Sequence, residues 1–402
     1  MTSSPSETPV ILAAKRTPIG KFQGALSSFT ATELGAFAIK ATLNELPDLD
    51  LASVDEVLMG NVVSSGLGQA PARQAAIKAG LPTSTCATTI NKVCGSGLKT
   101  VMLASQAIKA GDGRLFIAGG MESMSRAPYL LPGRNGELRY GNVTLIDSLL
   151  NDGLWDPFEN WGMGNAAEFI AGEYGISREE MDQYAHHSHQ KAVKAMQNDA
   201  FVQEITSVSI TDRKGAISII STDEGPRADV SVENLAKLKP SFIKDGKVTA
   251  GNASTLNDGA AACIIASQQY AKENSLTPLA RVVATAQVAV EPKFLFAAPA
   301  HAMPLVLKRS GWQLADVDLI ELNEAFAAQV LSNGKALAST GWDWDKVNIN
   351  GGGISLGHPL GASGTRVLVT LVHTLRQNNL RRGMACLCLG GGEAVAVTIE
   401  II

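Results

Sequence analysis

No stretch of this chain is basic enough to follow a nucleic-acid backbone. Its 34 Lys and Arg stand against 38 Asp and Glu, a formal net charge of −4, and the cations are scattered; nucleic acid is excluded as a partner class. No apolar run has the length of a membrane span, so no membrane partner is expected. The opening residues, Met1-Thr2-Ser3-Ser4-Pro5-Ser6-Glu7-Thr8, lack a basic n-region, an apolar h-region and an Arg-rich amphipathic pattern. They are read as neither a secretory nor a transit peptide. The last residues, Ile399-Glu400-Ile401-Ile402, are not of the peroxisomal type, and the cytoplasm is the expected location. Cysteines are few and odd in number: Cys86, Cys94, Cys263, Cys386 and Cys388. That count and spread argue against a disulfide framework. Cys386 and Cys388 have no second Cys pair or His at zinc-ligand spacing, and no metal site is expected.

What the chain does have is glycine, 39 residues of it, with a hydrophobic fraction of 45% and only 5% aromatics, in 402 residues. That length exceeds one ordinary core. Apolar runs at 9–14, 54–63, 88–93 and 115–119 read as strands, and 32–46, 71–80 and 96–110 as helices. Strands alternating with helices predict an α/β fold with a mostly parallel sheet. Between about Met121 and Ala253 the rhythm breaks into short helical pieces, with Arg178 to Asn198 the clearest helix, and this stretch reads as an insertion covering a site. Beyond Asp258 the alternation returns and echoes the first half. Cys94-Gly95-Ser96-Gly97-Leu98-Lys99 parallels Gly361-Ala362-Ser363-Gly364-Thr365-Arg366, and Phe116-Ile117-Ala118-Gly119-Gly120 parallels Leu387-Cys388-Leu389-Gly390-Gly391. A weak duplication of half-chain period implies two similar domains facing one site.

Four places carry chemistry. Cys94 stands between a strand and a helix N-terminus, where the dipole lowers a thiol pKa and favours thiolate; a small buried Cys is the alternative. His358, in Gly357-His358-Pro359-Leu360-Gly361, is pinned by proline in a glycine-rich loop and suits an acid, base or oxyanion donor, or is a surface loop residue. Cys386 and Cys388 share one strand face; Cys388, nearer the glycines, is favoured as the working thiol and Cys386 as packing. Asn323 follows a strand and either orients a water or oxyanion or caps a helix.

Taken together, Asn91-Lys92-Val93-Cys94-Gly95-Ser96-Gly97, Asn323-Glu324-Ala325-Phe326-Ala327, Gly357-His358-Pro359-Leu360-Gly361 and Cys388-Leu389-Gly390-Gly391-Gly392 resemble, in order, the catalytic blocks of the thiolase family. Lys15 to Gly20, Gly119 to Ser125 and Thr249 to Ser254 extend the resemblance over essentially the whole chain. It implies a thiolase-like fold of two similar α/β halves layered α-β-α-β-α: residues 1–275, with an inserted loop domain at about 121–253, and residues 276–402. It also implies a mechanism. Cys94 would take the acyl group from an acyl-CoA, Cys388 would remove an α-proton, and His358 with a water on Asn323 would stabilise the enolate. The N–H groups of Cys94 and Gly390 would face the tetrahedral oxyanion. CoA would lie against Leu154, Arg227, Phe242, Ala250 and Ser254, as substrate rather than as a tightly bound cofactor.

Residues 121–163 and the ending Gly390 to Ala396 resemble the short-chain biosynthetic type. That implies condensation of two acetyl-CoA to acetoacetyl-CoA, supply of mevalonate and sterol precursors, and a homotetramer built through the inserted loop. Trp161-Gly162 and Leu295-Phe296-Ala297-Ala298-Pro299 depart from that type near the acyl pocket. The tyrosine of potassium-dependent relatives is absent near Pro226. Three alternatives are a degradative 3-ketoacyl-CoA thiolase for longer chains, a decarboxylating ketosynthase, which lacks the second Cys, and a silent CoA-binding scaffold.

Overall fold

The structure, a computed structural model, describes residues 7–131, 133, 140–211 and 214–402. The expectation of no leader peptide falls largely on residues 1–6, outside the described residues. Strand β1 (Pro9–Arg16), helix α1 (Ala31–Asn44), β2 (Glu56–Gly60), α2 (Pro71–Ala79), β3 (Cys86–Ile90), α3 (Ser96–Ala110) and β4 (Leu115–Ser123) open the chain. An excursion holding α4 (Met163–Glu173) and α5 (Arg178–Gln197) follows, and β5 (Asn257–Ser267) returns to the sheet. Then come β6 (Ala280–Ala289), α6 (Pro299–Ser310), β7 (Leu319–Leu322), α7 (Ala327–Leu337), α8 (Leu360–Gln377), β8 (Arg382–Leu389) and β9 (Glu393–Ile401).

Local chemistry sets the helix ends. Thr30 and Glu33 exchange hydrogen bonds at the start of α1, as do Ser177 and Glu180 at the start of α5, each satisfying two N–H groups that the first turn leaves without partners. Helix α2 begins on Pro71 and stops at Gly80, whose φ of +100° suits only glycine.

The sheet runs β7-β8-β9-β6-β1-β5-β4-β2-β3, with a short strand at Gly20–Lys21 pairing on β5. It is not mostly parallel as expected. Only β7–β8, β2–β3 and β2–β4 are parallel, whereas β1, β5, β6 and β9 make antiparallel ladders. The glycine turn at 390–392 joins β8 directly to β9, and so short a link permits only antiparallel pairing. Strand β4 also runs on to Ser123, beyond the expected end at Gly119, because β5 pairs along its whole length. Strand β3 ends at Ile90, before Asn91, Lys92 and Val93 turn away.

Alternating side chains build five layers. Outward-facing Val57, Met59, Ile117, Ala262 and Ile264 pack on α1 and α2. Inward-facing Leu58, Phe116, Ala261 and Cys263 meet α3 and α8, whose other side packs on Leu387, Val395 and Val397. Cys386, Met384 and Ala396 face α6 and α7. The two halves are stitched edge to edge through Val10–Arg281 and Ile11–Ala280. Helices α3 and α8, the duplicated pair, fill the space between, giving the layered α/β arrangement the resemblance implied.

Candidate active site

Cys94 sits on a turn between β3 and α3. Val93 before it has φ +46°, an unfavourable region for a β-branched residue that costs about 1–3 kcal/mol. Three hydrogen bonds hold the turn. Val93 N–H donates to Asn91 Oδ1 at 3.0 Å, Ser96 Oγ donates to Val93 O at 2.6 Å, and Lys92 N–H donates to Ser96 Oγ at 2.8 Å. From the other half, Leu389 presses so close that a Cβ on Gly95 would lie 2.1 Å from its Cδ2. The turn thus aims Cys94 at the end of β8, where Gly390 N–H and the N–H of Cys94 itself both face the Cys94 sulfur.

His358 is buried on the loop before α8. Its N–H donates to Asn257 Oδ1 at 2.9 Å. Ser363 Oγ donates its one proton to Pro359 O at 2.8 Å, so the 2.6 Å contact with His358 is made by Nδ1–H. Nε2 is left as the basic nitrogen, 3.4 Å from Asn323 Nδ2. Asn323 is itself fully buried, and its Oδ1 has no partner among the described residues. Burial, with the Arg366 charge, pushes the His358 imidazole down to about 3 and keeps it neutral.

Cys94, His358, Cys388 and Gly390 line one cavity of about 300 Å³. Asn323 does not reach it and touches it only through His358. Cys386 lies in the outer packing layer and Cys263 in the central one, while Cys86 is exposed on edge strand β3. Leu154, Phe242 and Ser254 are shared between this cavity and an adjoining channel of about 670 Å³, which adds Arg227 and Ala250. All five residues expected to hold CoA therefore line one channel. It leads from exposed Arg227 to the two thiols.

A family model for the thiolase N-terminal domain matches residues 9–269, and one for the thiolase C-terminal domain matches residues 276–401. The chain belongs to the thiolase family. It is 52% identical over 390 residues to an acetyl-CoA acetyltransferase of Pseudomonas aeruginosa, covering 97% of this chain and 98% of that one. A Cupriavidus necator protein of the same name is 49% identical, with 97% and 98% coverage. The crystal structure of the Bacillus anthracis acetyl-CoA acetyltransferase superposes with a TM-score of 0.95 at 41% identity, covering 98% of this chain and 99% of that one.

One expectation fails in this thiolase. The Cys94 thiol is not lowered by the helix N-terminus. Burial pushes it up to about 12, Glu122 adds to the rise, and the two N–H groups oppose it. Cys388 is also driven well above the ordinary thiol range, by burial and then by Cys94. Desolvation of a thiolate in this apolar cavity outweighs the N–H groups that oppose it at Cys94. Both thiols are therefore neutral in the unliganded site.

Sequence reasoning also missed residues that hold the site. Glu324 accepts from Tyr184 Oη at 2.8 Å, Ser188 Oγ at 2.7 Å, Asn348 Nδ2 at 2.9 Å and Ile354 N–H at 3.2 Å, and so anchors its neighbour Asn323. Glu122 and Asn257 grip the His358 loop. Glu122 and Glu324 stood inside family-like motifs, but nothing in sequence spacing indicates which backbone groups they meet. Phe296 and Phe326, with ring centroids 5.3 Å apart, line the cavity but not the channel.

Proposed function

We propose that this thiolase is an acetyl-CoA C-acetyltransferase, running the reversible condensation of two acetyl-CoA to acetoacetyl-CoA and CoA through acetyl-Cys94. The observation that carries the reading is the meeting of two thiols, one from each half, with a neutral imidazole on a single cavity fed by a channel. The names of the similar proteins support the same activity.

The chemistry follows from the site. Cys94 sulfur attacks the thioester carbon while its proton passes to His358 Nε2. The oxyanion faces the N–H groups of Cys94 and Gly390. CoA leaves, taking a proton from Cys388. Positive His358 and the negative Cys388 thiolate thus arise together, which avoids the isolated charge that burial penalises. A second acetyl-CoA enters, and Cys388 removes its α-proton. The carbanion attacks the acetyl carbon, and Cys94 leaves with the proton held on His358. Both thiols and the imidazole end as they began. Asn323, which does not reach the cavity, acts on the enolate oxygen through His358, whose Nε2 lies 3.4 Å from its Nδ2.

In this reading residues 121–253 cover CoA within the 1–275 half, residues 276–402 form the other half, and Arg227 meets a CoA phosphate. CoA thioesters are substrates, with no tightly bound cofactor, and the protein acts in the cytoplasm. Exposed Tyr129, Val143, Leu145 and Ile146 suit a homotetramer contact; residues 132 and 134–139 of that loop lie outside the described residues.

The test is incubation with acetyl-CoA followed by mass analysis of the Cys94 peptide. An acetyl group that added CoA discharges is expected. Turnover without any acetyl on Cys94 would overturn the assignment. Cleavage rates that favour long 3-ketoacyl-CoAs over the C4 substrate would instead support the degradative type.

A further inference from the structure

The His358 loop belongs to the second half of the chain, yet its backbone is held by the first. Glu122 on β4 and Asn257 on β5 come from neighbouring strands, with Glu122 paired to Gly259. Both side chains are fully buried, and neither lines the cavity or the channel. Asn257 Oδ1 accepts His358 N–H at 2.9 Å and Thr255 Oγ1 at 2.8 Å, while its Nδ2 donates to Gly20 O at 2.8 Å. Its amide occupies the space a Cβ on Gly357 would need, at 2.5 Å, and Gly357 has φ +111°. Glu122 grips the other end of the loop. Its Oε2 accepts Gly361 N–H at 2.8 Å and Val62 N–H at 3.1 Å. Its Oε1 accepts Asn61 Nδ2 at 2.9 Å and Val63 N–H at 3.2 Å.

Val62 and Val63 belong to the apolar cluster that includes Leu360 and touches Cys94. The carboxylate therefore ties the Cys94 side of the cavity to the His358 side. Each oxygen meets two N–H donors, a set that an amide cannot match: its NH₂ would face donors. Gly120 adds a close approach, since a Cβ there would lie 2.0 Å from Gly361 O. Strand β4 thus meets the start of α8 backbone to backbone.

We propose that Glu122 and Asn257 are positioning residues, a two-point clasp by which the first half holds His358 of the second in register with Cys94. Neither touches substrate. Loosening the clasp slows chemistry through misplacement of His358 and leaves binding in the channel intact. The proposal rests on the acetyl-transfer reading for its kinetics and on the loop geometry alone for its exchange behaviour.

The experiment compares wild type with Glu122→Gln, Asn257→Ala and Asn257→Asp. Wild-type acetylation of Cys94 is the control that tests the functional reading separately. With folding verified by thermal melting, Glu122→Gln and Asn257→Ala are expected to lose roughly 10- to 100-fold in kcat, as misplacement by about 1 Å does, with KM for acetyl-CoA held within about threefold. Asn257→Asp keeps the acceptor for His358 N–H but gives up the Nδ2 donor to Gly20 O, and is expected to recover part of the loss over alanine. Hydrogen–deuterium exchange of the peptide spanning 357–361 is expected to rise in Glu122→Gln and Asn257→Ala, whatever reaction the site performs. Folded variants with wild-type kcat, no rescue by aspartate over alanine, or unchanged exchange would each overturn the clasp. Should Glu122→Gln not fold, the Asn257 pair decides the matter alone.

Discussion

The peptide N–H of Gly390 points at the sulfur of Cys94. The first residue lies just past strand β8 of one half, the second just before helix α3 of the other. A donor aimed at the nucleophile is also aimed at the oxygen of whatever carbonyl the nucleophile attacks. The site is thus assembled by packing two halves together, and its chemistry depends on how closely their ends meet.

Replacing Cys388 by alanine should separate the half-reactions. Acetylation of Cys94 should persist, though slower, because CoA loses its proton donor. Condensation should fall by roughly 10²–10⁴, the range for removal of a positioned general base. Rapid-quench analysis with labelled acetyl-CoA would show a standing acetyl-enzyme. Equal loss in both steps would contradict the separate roles of the thiols.

The pH dependence of Cys94 alkylation follows from its raised pKa. With the thiol near 12, the thiolate fraction rises about tenfold per pH unit across the whole range below it. Iodoacetamide inactivation should therefore climb from pH 6 to pH 9 without levelling. His358, near 3, adds no step in that window. A plateau near neutral pH would mean a thiolate–imidazolium pair already formed at rest.

Stability should fall on the alkaline side. Burial raises Glu321 from 4.5 to about 8. A proton bound more tightly by the folded chain stabilises it at low pH, and that contribution is lost as pH rises from 4.5 through about 8. His189 and His358 run the other way: lowered from 6.5 to about 4 and about 3, they cost stability as pH drops below 6.5. The melting temperature should pass through a maximum on the acid side of neutral, and Glu321→Gln should flatten its alkaline limb. A melting temperature that climbs steadily from pH 7 to pH 9 would refute this assignment.

Phe296 should limit acyl length. It is buried against Phe326 and lines the cavity but not the channel, and Asn333 Nδ2 holds its carbonyl oxygen at 2.7 Å. Phe296→Ala should raise cleavage of longer 3-ketoacyl-CoAs relative to the C4 substrate, at a stability cost of about 3–5 kcal/mol. An unchanged chain-length profile would place the limiting wall elsewhere.

Much of this was legible in the chain. Helix α3 could be read residue for residue because apolar spacing and glycine stops act locally. The half-chain echo proved to be a packing relationship. A Cβ on Gly97 would lie 2.8 Å from the backbone N of Thr365, and one on Gly364 would lie 2.2 Å from that of Leu98, so each glycine presses on the residue that follows its counterpart in the other repeat. The antiparallel ladders were not legible, because strand direction depends on partners far away in sequence and not on the pattern within a strand.

By itself the sequence determined the reactive residue types, their order, their placement at element ends and the family they belong to. These are carried by side-chain identity and local backbone preference. Tertiary structure alone decided the protonation state of the thiols, since desolvation depends on what surrounds a sulfur in space. It also decided that Glu122 and Asn257 of one half hold His358 of the other, because only the folded chain brings those acceptors to its backbone N–H groups.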